Sequence, residues 1–278
     1  MSLKLRAKTI EQIPVEADCI TPDKLSGLSV AEVERLQVLQ GNQHLALAEF
    51  FDVSGDGSDG DIVVEGDCAK VKLIGSRMSQ GCITVHGDIG MHAGAEMRCG
   101  RLEVFGNASD WVGAEMKGGH IHVHGDAGHL VGGTYRGGNR GMTGGVILID
   151  GNAKNEVGCV MRRGLIVIGG DTGDFVGAEM LAGSVFVFGV PGIRSGAGMK
   201  RGTIAVFGEE PDEPKRLVEL LPTFFYDCEY QPPFMKLYLN QLADWGFSIP
   251  GQARSGSFRR YSGDLVELGK GEILVWQE

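Results

Sequence analysis

Apolar and polar residues alternate over short stretches that recur along the middle of the chain: Ile83/Val85, Leu102/Val104, Ile121/Val123, Ile147/Ile149, Ile166/Ile168, Val185/Val187 and Ile204/Val206. A period of two predicts strands with one face turned inward. The seven stretches close on Gly87, Gly106, Gly125, Gly151, Gly170, Gly189 and Gly208, and Gly66 closes an earlier alternation in the same way. These glycines step by 19 residues, except that Gly66 to Gly87 is two residues longer and Gly125 to Gly151 seven longer. Aligned on them, the unit reads G-x-Φ-x-Φ-x-G-[DN]-x4-V-G-A-E-M-x-x-G, almost complete at 100–119 and again at 164–183. A fixed period of this length marks stacked structural units, and the glycine-rich excursion 132–144 reads as a surface loop inserted at one point of the repeat.

Within each unit a second alternation follows, Ala95/Met97, Ala114/Met116, Ala178/Met180 and Ala197/Met199, which predicts a second short strand. Two or three strands with tight glycine corners use up one such unit per turn, at ~3.3 Å per residue along a strand and ~4.8 Å between turns. The predicted fold is therefore mainly β, a right-handed parallel β-helix over 55–208. The Asp or Asn after each corner glycine (Asp67, Asp88, Asn107, Asp126, Asn152, Asp171) suits a turn position that bonds its own backbone. Residues 1–54 form an N-terminal cap, with a strand at Leu3-Lys-Leu-Arg6 and a capping box at Ser29-Val-Ala-Glu32 opening a helix through about Leu39. Residues 209–278 form a C-terminal extension, with an acidic linker at 209–214, a segment from Leu217 to Cys228 and a helix over Phe234 to Trp245, packing on the repeats or on a partner.

Composition narrows the partners. Forty-five glycines and 7% aromatics leave a slender core of Val, Ile, Ala and Met. The net charge of -10 argues against nucleic acid. No apolar run reaches the ~20 residues of a membrane helix, and the start of the chain shows no signal-peptide pattern. Six cysteines without C-x-x-C pairing or zinc spacing read as reduced cytoplasmic thiols.

The outward face of the strands changes along the axis. Early units present Asp61, Val63, Glu65, Cys82, Thr84, His86, Arg101, Glu103, Phe105, His120, His122 and His124, a mostly polar set that suits water. Later units present Val146, Leu148, Leu165, Val167, Phe186, Phe188, Ala205 and Phe207. An apolar strip of that size calls for a cover, either the C-terminal segment or another protein, and Phe186, Phe188, Phe207, Leu148 and Val167 are candidate interface residues. Glu96, Glu115 and Glu179 occupy one position of the repeat, and two residues further on come Arg98, Lys117, Arg136, Arg162 and Lys200. That ladder either holds a polyanion or neutralises the stacked glutamates. His120-Ile-His122-Val-His124 places three imidazoles on one face, but parallel columns on a flat sheet do not surround one point, so no metal is expected there. No P-loop, nucleophile elbow or dinucleotide fingerprint stands in its strand-turn-helix setting, and no catalytic residue is predicted in this chain.

The repeated V-G-A-E-M-x-x-G unit, the lead-in Gly41-Asn42 to Phe50-Phe-Asp-Val53, and the closing Tyr261-Ser-Gly-Asp264 with Gly269-Lys-Gly271 carry a family likeness. Together they resemble the C subunit of formylmethanofuran dehydrogenase and of the related bacterial formyltransferase/hydrolase complex. The repeat of that family is shared with the C-terminal β-helix domain of glutamate synthase. The resemblance covers about residues 20 to 275. It implies a non-catalytic subunit of an assembly that converts a formyl group carried by tetrahydropterin and methanofuran-type cofactors to formate. The partners it implies are an amidohydrolase-like A subunit, a B subunit and a formyltransferase D subunit, with metals and any pterin held by those subunits. The tail from Leu221 to Phe247 resembles the bacterial type. Joined to the ladder, the resemblance implies that Arg98, Lys117, Arg136, Arg162 and Lys200 meet the anionic tail of a methanofuran-type cofactor. Two other readings are a glutamate-synthase-like spacer of an amidotransferase and a polysaccharide-active enzyme, the latter disfavoured because no aspartate cluster projects from one sheet.

Overall fold

A computed structural model describes residues 2–10, 12–208 and 219–277. The predicted acidic linker at 209–214 and the start of the segment from Leu217 lie outside the described residues. The protein is mainly β, and among the described residues most strands join one 13-stranded sheet. Strands Asp61–Glu65, Cys82–His86, Arg101–Val104, His120–Val123, Val146–Ile149, Leu165–Ile168, Ser184–Val187 and Arg201–Val206 pair in chain order, all parallel. Register follows the hydrophobic pattern: Ile62, Ile83, Leu102, Ile121, Ile147, Ile166, Val185 and Ile204 lie side by side, each buried. A slip of one residue would turn this whole column to water, so burial strongly specifies the register.

Two further columns stack behind the sheet. Cys68, Ile89, Ala108, Ala127, Ala153 and Thr172 form a row of single parallel bridges. Met78, Met97, Met116, Met142, Met161, Met180 and Met199 are all fully buried and fill the interior between them. Small and flexible side chains suit so narrow a space, where methionine fills irregular gaps.

The second strand predicted around Ala95/Met97 and its equivalents is not a strand. In each unit the backbone there alternates between positive and negative φ: Trp111 (61°), Gly113 (60°) and Glu115 (54°) in one, Phe175 (64°), Gly177 (64°) and Glu179 (54°) in another. Recurring left-handed residues curl the chain into a tight turn that buries Val112, Gly113 and Met116 in one unit and Val176, Gly177 and Met180 in another, while Ala178 and Ala197 are only half-buried. The buried methionine recurs every unit in either conformation, so periodicity alone does not separate them.

Of the corner Asp and Asn residues, Asp67 bonds its own backbone as expected, its Oδ1 accepting from the N–H of Ala69 at 2.9 Å, whereas the later ones bond the following unit. Asp88 Oδ1 accepts from the backbone N–H of Asn107 at 2.7 Å, Asn107 Oδ1 from Asp126 at 2.9 Å, Asp126 Oδ1 from Asn152 at 2.7 Å, and Asn152 Oδ1 from Asp171 at 2.8 Å. Each side chain thus ties its own unit to the next. A second column, not anticipated from the sequence, repeats the device: Asp110, His129, Asn155 and Asp174 accept from the N–H groups of His129, Asn155, Asp174 and Ile193.

At the N-terminal end, Leu3–Ala7 pairs parallel with Asp61–Glu65 and antiparallel with Phe51–Ser54, closing that edge. The capping box at Ser29 and Glu32 is present, but the helix it opens runs only over Val30–Glu34. Gln37–Gln40 is instead a strand paired with Gln43–Ala46, because Gly41 at φ 62° supplies the hairpin turn and Val38 is buried as strand, not as helix. At the other end, the helix Pro233–Asp244 and strands Phe225–Tyr230, Ser257–Gly263 and Lys270–Gln277 follow, the last extending the parallel sheet beside Arg201–Val206.

Candidate functional site

The basic ladder is a real column with one misplaced member. The N–H groups of Arg98, Lys117, Thr143, Arg162, Leu181 and Lys200 each donate to the methionine carbonyl of the preceding unit, so these residues stack above one another. Arg136 is not among them. The insertion 132–144 carries it out to an exposed loop, and the chain returns to the column only at Met142 and Thr143.

The column is also partly neutralised. Lys117 Nζ lies 3.2 Å from Glu96 Oε2, and Arg77 reaches the other oxygen of Glu96 at 3.1 Å. Burial by itself would raise the Glu96 carboxyl, but the hydrogen bonds and charges of Arg77 and Lys117 hold it below the usual carboxylate range. Lys200 Nζ sits 3.6 Å from Glu267 Oε2, and Arg162 donates to the carbonyl of Asn139 at 3.5 Å. Arg98 and Arg136 are exposed. Beside Arg77 and Glu96 opens a cavity of about 500 Å³, with Glu16, Asp18, His44 and Tyr135 also on its wall. Its lining carries both signs of charge.

The outward apolar strip is occupied within the chain. Leu148, Val167 and Phe186 are fully buried, and Phe188 and Phe207 nearly so. They pack with Met235, Leu239, Leu242, Phe247, Phe258 and Trp276 of the C-terminal extension. Phe186 meets Phe207 edge to face, and Phe207 stacks on Phe188 with centroids 4.5 Å apart. Of the two covers expected for the strip, the chain's own C-terminal extension is the one in place: the helix Pro233–Asp244 is amphipathic, and its apolar face packs on these five residues.

The histidine run lies where polar and apolar halves of the outer face meet. His122 is buried, with Nε2 at 2.8 Å from Asp150 Oδ1, and His124 Nδ1 lies 2.7 Å from Asp150 Oδ2. His124 Nε2 faces Glu103 Oε1 at 3.2 Å, and Arg101 holds the other Glu103 oxygen at 3.0 Å. Desolvation would raise the Asp150 carboxyl, yet the bonds from His122 and His124 keep it low. Burial pushes the neighbouring His120 imidazole down to about 4, so it stays neutral at pH 7. Contrary to the flat-sheet expectation, one ligand atom each from Glu103, His122 and His124 lies within 4.8 Å of the others. Asp150 makes the difference by drawing both rings to one side. It follows the strand Val146–Ile149 in the column of His86, Phe105 and His124, and that alignment was available in the sequence.

No protein-family model matches the chain. It is 44% identical over 95 residues to the C subunit of molybdenum-containing formylmethanofuran dehydrogenase 1 of Methanothermobacter marburgensis, 34% of this chain and 24% of that protein. It is 41% identical over 95 residues to the C subunit of tungsten-containing formylmethanofuran dehydrogenase 2 of Methanothermobacter wolfeii, 33% of this chain and 35% of that protein. The match thus spans about a quarter to a third of the length of these curated relatives. A chain in the crystal structure of the formyltransferase/hydrolase complex FhcABCD from Methylorubrum extorquens, in complex with methylofuran, is similar throughout. Identity is 37%, the TM-score 0.89, and the overlap covers 99% of this chain and 100% of that one. Identity over 95 residues to C subunits of the dehydrogenases, joined to likeness over 99% of the chain to a chain of the bacterial complex, means that this chain belongs to the family of C subunits of formylmethanofuran dehydrogenases and formyltransferase/hydrolase complexes.

Proposed function

We propose that this chain is the structural subunit of a cytoplasmic formyltransferase/hydrolase assembly, holding the catalytic subunits in register and carrying no active site of its own. The observation that supports this most is the likeness to a chain of the Methylorubrum extorquens complex over 99% of the sequence at 37% identity. The likeness to the methanogen proteins is confined to 95 residues, which favours the bacterial type. In this reading the assembly moves a formyl group from a tetrahydropterin to a methanofuran-type cofactor and releases it as formate. The partners are an amidohydrolase-like subunit, its B companion and a formyltransferase.

A rigid spacer suits that task. The parallel, in-register sheet, the row of single bridges and the stacked left-handed turns support a right-handed parallel β-helix, in which every unit contributes one residue to each column. Arg98, Lys117, Arg162 and Lys200 line one edge of it, and they contact the anionic tail of the cofactor, with Arg136 reaching the same tail from its loop. The test is to purify the tagged chain from its native cell and identify what copurifies. Recovery of an amidohydrolase-like subunit and a formyltransferase is expected, with the isolated chain inert in formyl transfer and hydrolysis. Recovery of an amidotransferase of the glutamate synthase kind would overturn the reading. Charge reversal of Arg98, Lys117 and Arg162 together is expected to weaken cofactor binding by the complex, and unchanged affinity would remove the ladder from it.

A further inference from the structure

From the convergence of their donor atoms, we infer that Glu103, His122 and His124 form a binding site for one divalent transition-metal ion of the zinc class, with Asp150 orienting both imidazoles. The four side chains come from three successive units, so the sheet itself brings them together: Glu103 lies beside His122 in register, and Asp150 stands beside His124 on the other side.

The chemistry of the donors fits. Two imidazoles and a carboxylate form a frequent protein ligand set for zinc, completed by water. A histidine that ligates a metal nearly always gives its other ring nitrogen to a carboxylate or carbonyl, which sets the tautomer. Asp150 does this for both rings at once, taking His122 Nε2 and His124 Nδ1. The nitrogens left over are His124 Nε2, which already faces Glu103, and His122 Nδ1. The latter is buried and has no hydrogen-bond partner, although a buried polar atom normally finds one. A metal ion satisfies it.

Charge and enclosure agree. Glu103 and Asp150 bring two negative charges against the single positive charge of Arg101, and Arg101 engages Glu103 through Oε2, leaving Oε1 free of it. Phe247 lies over His122 at 6.4 Å between centroids, and Phe105 stacks on His124 at 4.5 Å. Side chains 19% and 28% exposed at Glu103 and His124 leave an edge open for entry and for a water ligand. Bonds of about 2.0–2.2 Å place donors roughly 3.4 Å apart, so the present spacing closes on the ion through side-chain rotation. Bound there, the ion ties two units directly and a third through Asp150, at the rim of the C-terminal cover.

The full-length chain, stripped with a chelator and dialysed, is titrated with Zn²⁺ by calorimetry and with Co²⁺ by visible absorption. Saturation at one ion per chain is expected, with the intense bands of a low-coordinate Co²⁺ centre and a rise in unfolding temperature on adding Zn²⁺. Glu103→Gln and His124→Ala each abolish saturation, Asp150→Asn weakens binding about 10–100-fold, and His44→Ala, far off in the N-terminal cap, changes nothing. Absence of saturable uptake, or uptake that survives in Glu103→Gln, would overturn the inference. Should His124→Ala fail to fold, Glu103→Gln and Asp150→Asn decide the matter.

Discussion

A Cβ placed on Gly113 would stand 2.5 Å from Cδ1 of Ile147, the inward isoleucine of the next unit but one along the sheet. The same clash recurs at Gly94 with Ile121 and at Gly132 with Ile166. Glycine at this point of the repeat is thus required twice, by its φ of 60° and by the approach of a core side chain.

Gly113→Ala is accordingly expected to destabilise the protein by about 2–4 kcal/mol, from left-handed strain plus overpacking. Gly137→Ala, at φ 79° but with open space around it, is expected to cost only about 1–2 kcal/mol. Urea unfolding of the two variants measures the difference, and equal losses would mean that contact with the isoleucine is immaterial.

Removing the Phe186 side chain empties the centre of the second core. Phe186→Ala should cost about 3–5 kcal/mol and expose the helix Pro233–Asp244 to limited proteolysis before the repeats are cut. Cleavage within the repeats first would show that the extension is not held by this strip.

Asp264 is buried and accepts from the N–H groups of Val266 and Gly198, each at 3.0 Å. Burial opposes ionisation, but these bonds prevail and hold its carboxyl below the ordinary 3.8. A depressed carboxylate stabilises the fold above the unfolded value and loses that contribution as pH falls below it. Asp264→Asn should therefore lower stability at pH 7 by about 1–3 kcal/mol and flatten the acid limb below pH 3.8. Thermal melts between about pH 2 and 7 provide the comparison.

Thiol chemistry separates the cysteines. Burial pushes Cys68 up to about 12 and Cys19 to about 11, whereas Cys99 is exposed. In the isolated chain at about pH 8, an aromatic disulfide reagent should modify Cys99 within the first phase and reach Cys19 and Cys68 only after unfolding. Early modification of Cys68, read by peptide mass, would contradict its burial.

Much of the fold was legible because the repeat displays it many times. The inward column from Ile62 to Ile204 and the corner Asp and Asn positions were readable from spacing, since burial on one face admits only one register. The basic residues were readable as a set, but Arg136 was not separable from the column, because nothing local reveals which residue an inserted loop returns to its place. The site around His122 was half visible: the three imidazoles were plain, while the role of Asp150 required aligning its unit across the long step from Gly125 to Gly151.

Spacing along the chain was enough for the stacking period and the strand faces, because a side chain repeated in every unit answers to the same local geometry each time. Three-dimensional packing was needed to establish that the Ala/Met stretches curl through left-handed turns, that the helix after Ser29 stops at Glu34, and that the chain's own C-terminal extension covers Phe186 and Phe207. Packing likewise settles that Asp150 gathers His122 and His124 toward Glu103. Each of these depends on which surface approaches from a neighbouring unit or from a distant segment, and on the hydrogen bonds available there, which the order of residues along one chain does not encode.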